Sequence, residues 1–282
     1  MTGLPIGLHD GPVLLLGASG QIGRCLMRRL AAARRPVIAV CRRPLPALAP
    51  EAEWLARDLV GPLNLGDRRP VAAIHATGAW LLPLHLPVLA AAGVKRLVCF
   101  SSTSVLAKAD SSSAAERRVA RQLAEAETAV AASAFAWTIL RPALVYGLGL
   151  DRNVGAAARF IRRWHWFPLA GPGAGLRQPV HADDLAAAAI ALLGAGDAIG
   201  GRFNLGGGET LTYRVMIERI FRVLDLPPRF LRLPLLALLP GKIGAMAARM
   251  EQDLAFDGGE LWTRLDLAPR KFLAGGRRDL GA

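Results

Sequence analysis

The stretch from Val13 to Leu30 limits what this chain can fold into more than any other. Val13-Leu-Leu-Leu16 is an unbroken apolar run, as in a strand buried on both faces. Ile22, Leu26, Met27 and Leu30 then recur at helical spacing. Between the two lies Gly17-Ala-Ser19-Gly20-Gln21-Ile22-Gly23. A strand that turns sharply into a helix leaves the helix's first N–H groups without partners. Those donors and the helix dipole form a phosphate site. Glycine permits the tight turn and lets a pyrophosphate approach with no Cβ in the way. Gly17, Ser19, Gly20, Gln21, Ile22 and Gly23 are therefore expected to hold a dinucleotide. A plain strand–turn–helix is the alternative.

The 282 residues suffice for one large α/β domain, or a domain with a small appendage. With 52% hydrophobic residues, a sizeable core is expected. No run of 18 residues is both apolar and uncharged, so no membrane span is expected. The opening Met-Thr-Gly-Leu-Pro-Ile lacks a charged start and a long apolar run, and does not read as a signal peptide. Cys25, Cys41 and Cys99 lie in apolar surroundings and are odd in number. They read as free thiols in a reducing cytoplasm, and no metal site is expected. The net charge of +13 comes largely from scattered arginine pairs. No lysine-rich arm or aromatic-interleaved basic patch accompanies them, so nucleic acid is not an expected partner.

Val37-Ile-Ala-Val40 reads as a second buried strand, ending at Cys41-Arg42-Arg43-Pro44. In a dinucleotide fold the end of this strand faces the adenosine ribose, about 20 residues beyond the glycines. An acidic residue there would bind the ribose hydroxyls. Arg42 and Arg43 stand there instead, which suits a 2′-phosphate and favours NADP, with NAD as the alternative. A strand ending near Asp58-Leu59 follows, then Val71-Ala-Ala-Ile-His75-Ala76-Thr77-Gly78, whose polar end would lie beside the cofactor. His75 reads as a packed histidine before a catalytic one. Leu82 to Ala92 reads as a helix that Pro83 and Pro87 shorten or kink. Val94 to Phe100 reads as a strand opening into Ser101-Ser102-Thr103-Ser104.

With these pieces in order the chain resembles an extended or atypical short-chain dehydrogenase/reductase, of the NAD-dependent epimerase/dehydratase kind. The glycine pattern, Asp58-Leu59, His75-Ala76, Val94-Lys-Arg and Ser101-Ser102 carry the resemblance. So do Leu140-Arg-Pro142-Ala-Leu-Val145-Tyr146-Gly, Pro179-Val-His-Ala-Asp183-Asp184-Leu, and Phe203-Asn-Leu-Gly with Leu211-Thr-Tyr213. The resemblance implies a doubly wound parallel sheet, Rossmann-like, over 11–147 and 176–204. It implies a smaller substrate lobe from 148–175 and 205–282. Asp58-Leu59 would contact adenine, and His75-Ala76 and Thr77 would border ribose and pyrophosphate. Ser102 or Thr103 would polarise a substrate carbonyl, and Pro142 to Val145 would flank the nicotinamide. The substrate would be a small carbonyl compound such as a sugar nucleotide.

Such enzymes use a Tyr with a Lys four residues later, the Lys lowering the phenol's pKa. Here the corresponding helix reads Ala115-Glu-Arg117-Arg-Val-Ala-Arg121-Gln-Leu-Ala-Glu125, and the chain's only tyrosines, Tyr146 and Tyr213, fall in other motifs. Arg117 and Arg121 stay protonated and shuttle protons poorly. Arg121 would still hold a ribose or phosphate. Two functions follow: an NADP-dependent enzyme of the epimerase, dehydratase or reductase type, or a redox-silent NADP-binding accessory or sensor protein. Arg162, Arg163 and Arg177 are candidates for an anionic group. His181 with Asp183-Asp184 reads as a metal or acid–base cluster, or as a helix cap. The apolar 231–250 segment covers the substrate cleft, packs against the fold or rests on a membrane surface. Gly275 to Asp279 is expected to be flexible.

Overall fold

The computed structural model describes residues 11–233 and 242–281. The signal-peptide reading of residues 1–6 and the middle of the 231–250 segment lie outside the described residues.

Seven strands make the main sheet: β1 (Val13–Leu16), β2 (Val37–Cys41), β3 (Glu53–Ala56), β4 (Ala72–His75), β5 (Arg96–Phe100), β6 (Ala136–Pro142) and β7 (Gly201–Leu205). Their order is β7-β6-β5-β4-β1-β2-β3. The registers that join β1 to β6 are all parallel; Leu16 lies opposite Val40 on one side and His75 on the other. Parallel neighbours need crossovers, which are helical here. The long ones are α1 (Gln21–Ala32), α2 (Leu82–Ala91), α3 (Ala114–Ala131) and α4 (Ala182–Gly194). The order is that of a Rossmann-like doubly wound sheet, with its reversal of direction at β1 and β4. In such sheets ligands bind outside the carboxyl ends of the strands at the reversal.

The apolar runs are buried on both faces, as parallel strands require. Leu14, Leu16, Ile38, Val40, Ala73, Leu97 and Ile139 pack with Leu82 and Leu89 of α2 and Leu123, Ala126 and Val130 of α3. The alternate residues Val13, Leu15, Ala39, Ile74 and Val98 are also fully buried. Helix α2 runs its full ten residues despite Pro83 and Pro87. Pro83 lies in the first turn, where an N–H has no intrahelical partner to lose.

The chain divides into two compact units. One runs to Pro142 and takes in Asp183–Asn204 and Leu261–Leu267. The other comprises Ala143–Ala182, Leu205–Glu260 and the chain from Ala268 onward. In the second unit, a helix over Val154–Trp164 and another over Tyr213–Val223 pack around Tyr146, Phe167, Phe221 and Phe272. Thr212 caps the second of these, its hydroxyl accepting from the Val215 amide at 3.2 Å. Of the 231–250 segment, Phe230–Arg232 is a strand parallel to Phe167–Leu169, and Lys242–Arg249 is a helix. Ala247 and Met250 pack against Leu169 and Ala170 of the same unit. Among the described residues no helix is long and apolar enough to cross a membrane.

The tail corrects one expectation. Gly276–Leu280 is a 3-10 turn, with Asp279 and Leu280 buried. Composition suggested a flexible end, but the Asp279 carboxylate accepts the Gly275 amide at 2.8 Å and lies 3.4 Å from the His181 ring.

Candidate functional site

The glycines of the first turn do different work. Gly17 has φ +92°, and a Cβ there would lie 2.6 Å from the Ala76 carbonyl. A Cβ on Gly23 would lie 2.1 Å from the Gly17 carbonyl, so α1 rests directly on the strand's end. Gly20 caps α1 in extended conformation and is exposed; its added Cβ would meet nothing nearer than 3.3 Å. The first intrahelical bond runs from the Arg24 amide to the Gly20 carbonyl at 2.8 Å. The amides of Gln21, Ile22 and Gly23 precede it and are the helix's orphan donors. No acidic side chain stands in that first turn to compete for an anion. The turn is a cradle with donors and no carboxylate, and it fits a pyrophosphate.

The same sheet edge gathers the other expected cofactor residues of the first unit. Ser19 is half-buried, its carbonyl accepting from Arg24 Nε at 3.0 Å. Ala76 and Thr77 adjoin Gly17, and the Ala76 amide bonds the Leu16 carbonyl at 2.9 Å. Arg42 and Arg43 follow β2 with exposed side chains, and neither is ion-paired with any described residue. Asp58 is exposed and accepts the Val60 amide at 3.1 Å, a local turn of the Asx kind. Leu59 is buried in the core.

His75 ends β4 and is fully buried beside His85 of α2, also fully buried. Leu59 O lies 2.9 Å from His85 Nε2, and His85 Nδ1 lies 3.1 Å from His75 Nε2. A carbonyl only accepts, so His85 carries its proton on Nε2 and accepts at Nδ1; His75 must then donate from Nε2. Burial and the neighbouring His85 push the His75 pKa down to about 3, and burial lowers that of His85. Both rings are neutral. The His75 side chain is packed in the interior and hydrogen-bonded to His85. His85 had no signal in the sequence.

At the end of β5 the hydroxyls are already engaged. Ser101 donates to Glu127 Oε1 at 2.6 Å. Glu127 is buried on α3 and takes a two-pronged bond from Arg141 of β6, with Arg202 of β7 3.6 Å away. Thr103 is buried and directs its hydroxyl at the Pro142 carbonyl, 3.4 Å away. Ser102 accepts the Ser104 amide at 3.1 Å. Among these three hydroxyls, Ser102 alone keeps its own proton uncommitted to any described residue. Arg117 donates to the carbonyls of Ser111 and Ser112, while Arg121, four residues on, is exposed. Glu127, six residues beyond Arg121, turns about 120° away from it around the helix. Pro142 ends β6 in the first unit; Val145 lies in the second, in a short strand paired with Pro179–His181.

Three further candidates take structural roles. Arg177 is buried and donates to the carbonyls of Leu176, Gln252 and Arg249 in its own unit, so its cation is not offered to a ligand. Asp183 lies inside the first turn of α4 and makes a two-pronged bond to Arg29 of α1 at 2.7 and 2.8 Å. His181 faces Asp279, a residue the sequence had placed in a flexible tail. Burial opposes ionisation of Asp279, yet its bonds from His181 and the Gly275 amide outweigh that and hold its pKa below the usual value. Among the described residues no group of three or more His, Cys, Asp or Glu is placed to hold a metal. Arg162 and Arg163 are exposed, Arg163 lying over the Trp164 ring. The Tyr146 hydroxyl is buried between the Leu273 amide and the Lys271 carbonyl.

A parallel Rossmann-like sheet with this glycine turn defines a nucleotide-binding class, and comparison with known proteins makes it specific. The chain belongs to the NAD-dependent epimerase/dehydratase family, whose model matches residues 68–206. It is 30% identical to 2′-dehydrokanamycin reductase of Streptomyces kanamyceticus over 237 residues, 76% of this chain and 67% of that one. It is 34% identical over 118 residues to NADH dehydrogenase [ubiquinone] 1 alpha subcomplex subunit 9, mitochondrial, of Arabidopsis thaliana. That match spans 42% of this chain and only 29% of the plant protein. The fold is shared with the solved structure of MoeE5 in complex with UDP-glucose and NAD, at TM-score 0.73 and 22% identity, over 96% of this chain and 97% of that one.

Proposed function

We propose that this protein binds NADP(H) along the carboxyl edge of β1 to β4 and holds a small, sugar-derived carbonyl compound without fast hydride turnover. The observation that carries the cofactor choice is Arg42 with Arg43, exposed and not ion-paired among the described residues, at the end of β2 where the fold class would have a ribose-binding carboxylate. The amides of Gln21, Ile22 and Gly23 would hold the pyrophosphate, with Gly17 and Gly20 giving it room. Asp58-Leu59 would border the adenine, and His75, Ala76 and Thr77 the ribose and pyrophosphate. Pro142 would flank the nicotinamide. When bound, the cofactor supplies or accepts a hydride at its nicotinamide ring.

Hydride exchange with a carbonyl also needs a proton carrier within hydrogen-bond reach. Ser102 is suited to hold a carbonyl oxygen by donating its free proton, but a serine hydroxyl needs a base to give that proton up. His75, His181 and Tyr146 are each engaged elsewhere. Arg117 and Arg121 stand where a Tyr–Lys pair is expected, and a guanidinium does not deprotonate near neutral pH. The reading is therefore of a cytoplasmic NADP-binding accessory or sensing protein that has kept the nucleotide edge of a sugar-nucleotide enzyme. The plant relative, a subunit of a larger enzyme, is consistent with it. The bacterial relative, a reductase, favours a second reading in which the protein reduces a carbonyl of an amino-sugar derivative with Ser102 as donor.

Single-turnover oxidation of bound NADPH, against sugar nucleotides, aldehydes and ketones, separates the two. The expected outcome is tight NADPH binding and oxidation no faster than the buffer control. Fast turnover that is lost in Ser102→Ala overturns it in favour of the reductase.

A further inference from the structure

Leu59, His85 and His75 form a line of two hydrogen bonds that joins three separate elements. Leu59 belongs to the loop after β3, His85 to α2 and His75 to the end of β4. Both imidazoles have no solvent exposure. Apolar side chains would fill the same space without the cost of burying polar rings. The two hydrogen bonds hold the elements they join in one geometry, while His75 Nδ1, at the end of the line, has no partner among the described residues.

What those elements carry is informative. His75 is paired in register with Leu16, the residue before Gly17, and the next carbonyl, that of Ala76, would lie 2.6 Å from a Cβ added at Gly17. The near end of the relay therefore abuts the pyrophosphate turn. The far end holds the loop 57–60, which begins with the Arg57 amide bonded to the Cys41 carbonyl at 3.0 Å, next to Arg42 and Arg43. In a dinucleotide fold the residues that end the second strand meet the adenosine ribose. In this sheet the outer neighbour of β2 is β3. The Leu59 carbonyl is a second anchor for that loop, and His85 supplies it.

We infer that His85, backed by His75, is a positioning residue that sets the Asp58–Leu59 loop against the adenosine half of the cofactor, an inference that rests on the NADP-binding reading. The relay touches neither substrate nor reacting atoms. It acts through Leu59, and its effect falls on ligands that contain adenosine.

The test uses the full chain with three probes: NADPH, adenosine 2′,5′-bisphosphate and reduced nicotinamide mononucleotide. His85→Phe should bind NADPH and the bisphosphate about tenfold more weakly and leave binding of the mononucleotide unchanged. His85→Gln, which restores an N–H toward Leu59, should recover most of the loss. General destabilisation would weaken all three probes and would not be rescued selectively. A measurement on the unaltered protein guards against variants that do not fold. Nitrogen NMR of labelled histidines at pH 7, with the His75 and His85 signals assigned by their loss in single variants, should show both of these rings protonated at Nε2 only. Protonation of either of them at Nδ1 overturns the inference, as does equal affinity of His85→Phe and the unaltered chain for the bisphosphate. If the unaltered chain binds neither NADPH nor the bisphosphate, the cofactor reading fails as well, which separates that failure from failure of the relay alone.

Discussion

The carboxyl edge of β1 and β2 and the end of β5 are two stretches of one sheet, and they are finished in opposite ways. At the first, Gly20, Arg42 and Arg43 are exposed and the opening amides of α1 are left over. At the second, Ser101 gives its proton to Glu127, Thr103 to Pro142, and Glu127 is held by Arg141. One edge leaves these groups open to solvent; the other uses Ser101, Thr103 and Glu127 to hold strands and helix together, with the Ser102 proton left over. On the proposed reading, the nucleotide edge is kept while much of the β5 end serves the frame.

That contrast is broken most severely at Glu127. If the β5 end is structural, Glu127→Ala leaves the Arg141 guanidinium without its partner and costs about 3–5 kcal/mol of stability, by the measured range for breaking a buried ion pair. Urea unfolding of the two proteins measures it; a loss under about 1 kcal/mol would make the cluster something other than frame.

Gly20→Val tests the open edge. It should lower NADPH affinity by about 100-fold, about 2.7 kcal/mol, with a nearly unchanged melting temperature. Fluorescence titration beside a thermal melt reads both, and unchanged affinity in a folded variant refutes the pyrophosphate assignment. Replacing Arg42 and Arg43 by alanine is smaller still. Each charge-assisted bond to a 2′-phosphate contributes about 1.5–3 kcal/mol, so the unaltered chain should favour NADPH over NADH by at least about tenfold. The double variant should bind the two alike, and equal affinities before any change would sink the preference for NADP.

Acid sharpens the comparison from the buried side. His75 is neutral in the folded chain down to about pH 3, whereas in the unfolded chain it takes a proton near 6.5. Below pH 6.5 the unfolded state binds the extra proton and stability falls, by about 1.4 kcal/mol per pH unit for this one ring. Above pH 6.5 this group contributes no slope. Urea midpoints at pH 7.5, 6.5 and 5.5 follow it, and a flat profile would contradict the buried neutral ring. The smallest effect is expected at Ser102→Ala: NADPH affinity should change less than about twofold, because the hydroxyl lies at the other edge. A tenfold loss would bring that hydroxyl into the cofactor site.

Much of the first strand, its glycine turn and the helix after it was legible in the sequence because the signals are local. Val13–Leu16, the glycines and the helical spacing after them all fall within one turn of strand and helix. The β5 end was not, because its meaning rests on partners far along the chain. Glu127 stands 26 residues from Ser101 and 14 from Arg141, and nothing in its neighbourhood distinguishes it from Glu125. His85 looked like one more residue in a proline-rich helix, although its partners lie 10 and 26 residues back. Asp279 sat in a glycine- and arginine-rich run that composition assigns to solvent, and only packing shows its carboxylate turned inward. Arg177 reversed in the other direction: a cation expected to meet a ligand meets three carbonyls of its own chain.

The glycine turn has a consequence for how such motifs persist. Gly17 and Gly23 are dictated by backbone that lies 2.6 and 2.1 Å from any Cβ they could bear, so the fold itself forbids their replacement. Gly20 meets a milder neighbour: an added Cβ would lie 3.3 Å from the Gly17 carbonyl, a tight contact that a shift of a few tenths of an ångström relieves. A descendant that had given up its nucleotide would still be made to keep two of the three glycines. Loss of function would be written at the middle position first, while the signature as a whole went on looking intact.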